Sequence, residues 1–107
     1  MERKIYNKLI RDRIPEIIEQ DGKHYMVESM ALLEYEQALL EKLVEEAQEA
    51  RKADEAHIKN ELADILEVID ALLVLKGLSR QTLRKEQLRR RNERGGFEKR
   101  LKLLWTE

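Results

Sequence analysis

Two short stretches of this 107-residue chain have the residue types and spacing to do chemistry: Glu45-Glu46-Ala47-Gln48-Glu49 and Glu61-Leu62-Ala63-Asp64. Residues three apart on a helix are surface neighbours, so Glu46 with Glu49, and Glu61 with Asp64, each form a carboxylate pair on one helix edge. Eleven residues separate Glu49 from Glu61, enough for a last helical turn, a short loop and a first turn of the next helix. On two antiparallel helices both pairs then stand at a similar height. Carboxylates about 4 Å apart repel by about 4 kcal/mol per contact even at an effective dielectric of about 20, before relaxation. A divalent cation removes that repulsion, and hard oxygen donors without histidine or cysteine point to magnesium or manganese before zinc. With 22 acidic residues in 107, about four acidic i,i+3 pairs arise by chance, so spacing alone leaves two readings open: a metal site or a salt-bridged surface. Placement is more telling than spacing, because Glu61 and Asp64 fall on the most apolar helix expected in the chain, where a purely solvated face is less natural, yet both readings stay open.

Four helices are expected to position these groups. A short one runs from about 13 to 20, with Pro15 near its start and Asp21-Gly22 as its stop. Residues 23–28 connect it, with a brief extended stretch, to a long helix capped by Ser29 and reaching about Lys52, whose broad apolar face comprises Leu32, Leu33, Leu39, Leu40, Leu43, Val44 and Ala47. The third helix opens at Asp54 or Glu55, runs to Lys76 and stops at Gly77. Its second half is apolar nearly all round, interrupted only by Glu67 and Asp70, and a single chain of this size can hardly surround it. A homodimer or larger homo-oligomer, forming a helical bundle from two or more chains, follows. Ser79 caps a fourth helix to about Arg94, with Leu83 and Leu88 as its apolar contacts, and Gly95-Gly96 ends it. The tail with Phe97, Leu101, Leu103, Leu104 and Trp105 matches neither helix nor strand periodicity.

Composition agrees with one all-α domain over residues 1–107. The chain is 42% apolar and 40% charged, with four Gly, one Pro and five aromatics, too few turn formers and aromatics for a sandwich or barrel. It has no cysteine, which excludes disulfides, thiolate metal sites and a cysteine nucleophile. No apolar run approaches a membrane span and the N-terminus leads into no signal-like core, so a soluble, cytoplasmic protein without membrane contact is expected. The net charge of −1 hides a segregation: residues 1–27 carry about +1, residues 28–77 −8 and residues 78–107 +6. Such polarity fits either helix faces that neutralise each other or an acidic cation site beside a basic anion site.

In this arrangement the chain resembles the all-α nucleoside triphosphate pyrophosphohydrolases of the MazG-like superfamily. EExxE followed by ExxD is joined by two further stretches, Tyr6-Asn7-Lys8-Leu9-Ile10-Arg11-Asp12-Arg13-Ile14-Pro15-Glu16 and Arg94-Gly95-Gly96-Phe97-Glu98-Lys99-Arg100. These are similar to the ends of a compact, phosphoribosyl-ATP pyrophosphohydrolase-like single-domain subgroup, and the likeness runs in order along almost the whole chain. The resemblance implies that Glu46, Glu49, Glu61 and Asp64 are magnesium ligands, with manganese as a substitute, and that Glu45, the first acid of the doublet, either supports those ligands from behind or orients water as a base. It implies magnesium-dependent hydrolysis of a nucleoside triphosphate or related nucleotide between the α and β phosphates, giving a monophosphate and pyrophosphate, with clearance of non-standard or surplus nucleotides as the role it suggests. Metal ions suit that reaction because they neutralise phosphate charge and align water for in-line attack.

The basic segments then gain a place. Lys8, Arg11, Arg94 and Lys99 are the expected phosphate ligands, arginine as a fork and lysine as a point charge. Gly95-Gly96 allows backbone amides to approach an anion, although Gly-Gly also serves simply as a helix stop. His24 and His57 read as surface residues, and Phe97 and Trp105 as packing anchors. The competing function is a non-catalytic nucleotide- or metal-binding module of the same fold. A nucleic-acid-binding role for 83–100, suggested by a single Arg-Gly-Gly, is disfavoured by the pI near 6.2 and the acidic centre.

Overall fold

The computed structural model describes residues 2–107, and in them the chain is all-helical: α1 (Ile14–Gln20), α2 (Leu32–Lys52), α3 (Ile58–Leu75) and α4 (Arg80–Arg94), with no strand among the described residues. Pro15 sits in the first turn of α1, where its missing N–H leaves no partner unsatisfied. Both α1 and α3 end in the same way. Gly22 (φ 72°) donates its N–H to Glu19 while Lys23 reaches Ile18, and Gly77 (φ 68°) donates to Val74 while Leu78 reaches Leu73. This double bond across a left-handed glycine satisfies two of the carbonyls that a helix end leaves open.

The helix starts differ from expectation in two places. Ser29 does not cap α2: the helix begins three residues later, at Leu32, with extended Ala31 as its N-cap and no side-chain bond there. Asp54 does begin the approach to α3, but through a turn. Its carboxylate accepts the His57 N–H at 3.1 Å, and regular helix starts only at Ile58. Ser79 caps α4 as expected, its hydroxyl accepting the Thr82 N–H at 3.0 Å. The connector 23–28 forms no strand, and the tail beyond Gly96 forms only a turn, closed by Arg100 N–H to Phe97 carbonyl.

Among the described residues, helices α2 and α3 form the one extensive helix–helix packing, an antiparallel hairpin in which Glu36 pairs with Lys76 at one end and Glu46 meets Asp64 at the other. Leu39, Val68 and Leu73 are its buried centre. The broad apolar face of α2 is therefore only partly used: Leu39 points into the hairpin, while Leu33, Leu40 and Val44, spaced seven and four apart, stay exposed. Leu62 and Leu66 of α3 are exposed as well, and Val74 is 80% accessible. No helix is long and apolar enough to cross a membrane among the described residues.

Helix α4 is exposed along its length and packs extensively on neither α2 nor α3, and the molecule is elongated. The extents are 61 × 34 × 27 Å and the radius of gyration is 18.5 Å, against about 13 Å for a compact domain of this length. At its root, the Arg80 guanidinium grips Asp70 through two bonds of 2.6 and 2.9 Å. That clamp holds the Asp70 carboxyl below the ordinary carboxylate range, chiefly through the hydrogen bond from Arg80.

Candidate metal centre

The site forms where α2 and α3 approach each other near their connection. Carboxylate oxygens of Glu46, from α2, and of Glu61 and Asp64, one turn apart on α3, all lie within 4.8 Å of one another. The α3 pair arises from the three-residue step expected of it, and Glu46 meets that pair because the five residues between the helices reverse the chain without lengthening it. The Glu46 side chain is only 15% exposed, against 39% for Asp64. Its carboxyl is pushed above the usual value first by loss of water and then by repulsion from Asp64, with Lys42 pulling the other way and Glu61 and Glu45 adding to the rise.

Two other acids of the expected set stand apart from this group. Glu45 lies at the edge of this group and accepts a 2.8 Å hydrogen bond from Lys8, which holds its carboxyl below the ordinary range and raises the lysine. Glu49 is exposed and outside the three-carboxylate group, although its charge reaches Lys8. Glu49 follows Glu45 by four residues and shares its edge of the hairpin, where both charges act on Lys8.

That edge is covered by the N-terminal segment. Asn7 adopts a left-handed conformation (φ 46°), which asparagine tolerates better than most residues. Beyond it, Lys8 reaches Glu45 and Arg11 donates to Asp64 at 2.7 Å. Lys8 and Arg11 are thus beside the acidic group, as a phosphate-binding role requires, but here they pair with carboxylates. A shallow groove of about 240 Å³ runs along this flank, lined by Asn7, Lys8, Leu9, Met30, Lys42 and Glu45 among others. The Lys42 side chain, only 19% exposed, lies 3.8 Å from Glu46. Its signal in the sequence is a lysine four residues before Glu46, on the same helix face.

Arg94 and Lys99 are elsewhere. Arg94 is the last residue of α4 and Lys99 lies in the tail, both exposed, and neither makes an ion pair among the described residues. At Gly96 a Cβ would come within 2.7 Å of the Glu98 carboxylate, which is itself paired with Arg91. A negative group therefore does approach the Gly95-Gly96 backbone, supplied by the chain itself. His24 and His57 are exposed, and His57 Nδ1 lies 2.6 Å from Asp54.

The donor set fits a hard divalent cation: three carboxylates, no nitrogen or sulfur ligand, and one member already disfavoured as an anion by its surroundings. Two unit charges at 4.8 Å repel by about 3.5 kcal/mol at an effective dielectric of about 20. The flanking cations offset part of this for Asp64 through Arg11 and for Glu46 through Lys42. No family model, curated protein or solved structure matches the chain.

Proposed function

We propose that the chain is a magnesium-dependent nucleoside triphosphate pyrophosphohydrolase of the MazG-like kind that its motifs resemble, cleaving between the α and β phosphates. The observation that carries this is the convergence of Glu46, Glu61 and Asp64 within 4.8 Å at the junction of two helices. These three residues hold the cation, with Glu49 as the further ligand the motif implies. Bound magnesium supplies neutralisation of phosphate charge and acidification of a coordinated water. Glu45, whose carboxyl the hydrogen bond from Lys8 holds below the ordinary range, would be the neighbouring group that orients water at the site. Lys8 and Arg11 lie close enough to exchange their carboxylate partners for phosphate oxygens when a triphosphate arrives, so the N-terminal segment both covers the site and meets the substrate. The working unit is a homodimer or larger homo-oligomer, as the uncovered apolar surface of the single chain supports, and the cytoplasm is the compartment proposed for it.

A second reading has its own observation. Lys8–Glu45 and Arg11–Asp64 already satisfy two of the acids, as in a binding module that does not turn over. A panel of nucleoside triphosphates and phosphoribosyl-ATP, incubated with magnesium and scored separately for pyrophosphate and orthophosphate, separates the two. Pyrophosphate with a monophosphate, abolished by chelator, is the expected result. Nucleotide binding without turnover establishes the module, and orthophosphate as first product overturns the proposed bond cleavage.

A further inference from the structure

The C-terminal third of the chain has no cover in its own protomer. Phe97, Leu101, Leu103, Leu104 and Trp105 are 71–96% exposed. The chain as a whole exposes 10478 Å², whereas a compact monomer of 12.8 kDa exposes about 6,300 Å². The excess of about 4,000 Å² is several times the roughly 800 Å² that each partner gives to a standard interface.

The tail cannot reach its own acidic cluster while α4 stays where it is. Asp64 lies eleven residues from the end of α3, about 17 Å along the axis, and α4 starts beyond that end. The Gly77 turn and the two Arg80–Asp70 bonds fix its departure. The 61 Å long axis is about twice the length of α2, the longest helix, so α4 leads away from the cluster. Charge points the same way. The C-terminal block carries +6 and the block containing α2 and α3 carries −8, yet only Asp70–Arg80 joins them by an ion pair among the described residues.

We propose that residues 80–105 form an arm that docks on the α2–α3 hairpin of a second copy of this chain. Phe97, Leu101, Leu104 and Trp105 cover the apolar stripe Leu33, Leu40, Val44, Leu62 and Leu66 of the partner. Helical spacing and antiparallel packing put both parts of that stripe on one side of the hairpin, away from the side covered by Lys8 and Arg11. Arg94 and Lys99, without ion pairs in their own protomer, are carried to the partner's Glu46–Glu61–Asp64 group, so each site is completed in trans and the exchange is reciprocal. The role given to that group rests on the proposed function; the docking itself does not.

The test uses the full chain and its sole tryptophan. Because Leu101 and Leu104 are largely exposed in the protomer, L101D/L104D leaves its helices intact, which circular dichroism verifies. Wild type should sediment as a dimer or larger assembly with blue-shifted Trp105 emission, and L101D/L104D should raise the dissociation constant about a hundredfold or more and shift the emission red. In a second arm, copies carrying Lys99→Cys are mixed with size-tagged copies carrying Leu62→Cys, on the stripe next to Glu61, the wild-type chain having no cysteine. An interchain disulfide between the two is expected. Unchanged assembly and emission in L101D/L104D, or a Lys99→Cys/Leu62→Cys double variant that closes within one chain, overturns the arm. All these readouts are independent of turnover, so an inactive but arm-exchanged protein would remove only the enzymatic reading.

Discussion

Glu46 and Asp64 share one cluster but face different neighbours, and substitutions at the two should act with opposite sign. Glu46 is deprived of water and crowded by other carboxylates, so its charged form is disfavoured in the folded protein. Glu46→Gln should raise the melting temperature in chelator by a few degrees, as befits about 1 kcal/mol in a domain of this size. Asp64 is held by Arg11 in an exposed pair, and Asp64→Asn should lower stability by about 0 to 1 kcal/mol. Both should abolish stabilisation by magnesium. Thermal melts with chelator and with magnesium check this, and Glu46→Gln melting below wild type in chelator would refute the crowding. The α3 pair was legible in the sequence because a three-residue step on a helix is rigid. That Glu46 joins it while Glu49 does not depends on how α2 is rotated about its axis, which an apolar face as broad as that of α2 leaves undetermined. Lys8 and Arg11 were recognised as cations of the site, but their partners come from contacts 37 and 53 residues away along the chain, beyond any local pattern.

At the level of elements, helix number, order and most of the ends follow from caps and glycines, whereas which apolar residues end inside the hairpin does not. Leu73 and Leu66 look alike in a helical wheel, yet Leu73 is 7% exposed between the helices and Leu66 lies on the open side. Leu73→Ala should cost about 2 to 4 kcal/mol by leaving a cavity. Leu66→Asp should keep the helix content of the protomer and weaken assembly, a contrast read by denaturation beside sedimentation. The direction of α4 has its own check in the Asp70–Arg80 clamp. Since the folded carboxyl is held below its ordinary 3.8, the stability it contributes is present above that value and is lost only as the pH falls below it, through the folded value. Carbon-detected titration of Asp70 should show an inflection below 3.8 that returns to the ordinary range in Arg80→Gln. An inflection at or above 3.8 in wild type would mean that the clamp is open in solution and α4 free to swing.

For the whole molecule, the sequence indicated that one chain could not cover its apolar helix, and the structure extends that shortage to the tail and to one side of the hairpin. What covers them is decided by two forces with different responses to salt. Apolar burial is insensitive to moderate salt or strengthened by it, whereas attraction between a −8 block and a +6 block is screened once the Debye length falls to a few ångströms. The net charge of −1 gives almost no overall repulsion between copies, so the response to salt reports the contact between blocks alone. If the basic arm of one copy lies on the acidic hairpin of another, the dissociation constant should rise about tenfold between 50 and 500 mM sodium chloride, a loss of about 1.4 kcal/mol spread over several exposed pairs. Packing of the two hairpins through Leu40, Val44, Leu62 and Leu66 alone predicts an unchanged or smaller constant over the same range. Sedimentation velocity at a series of salt concentrations distinguishes the two, because the assemblies differ in the sign of their salt dependence even where they have the same mass.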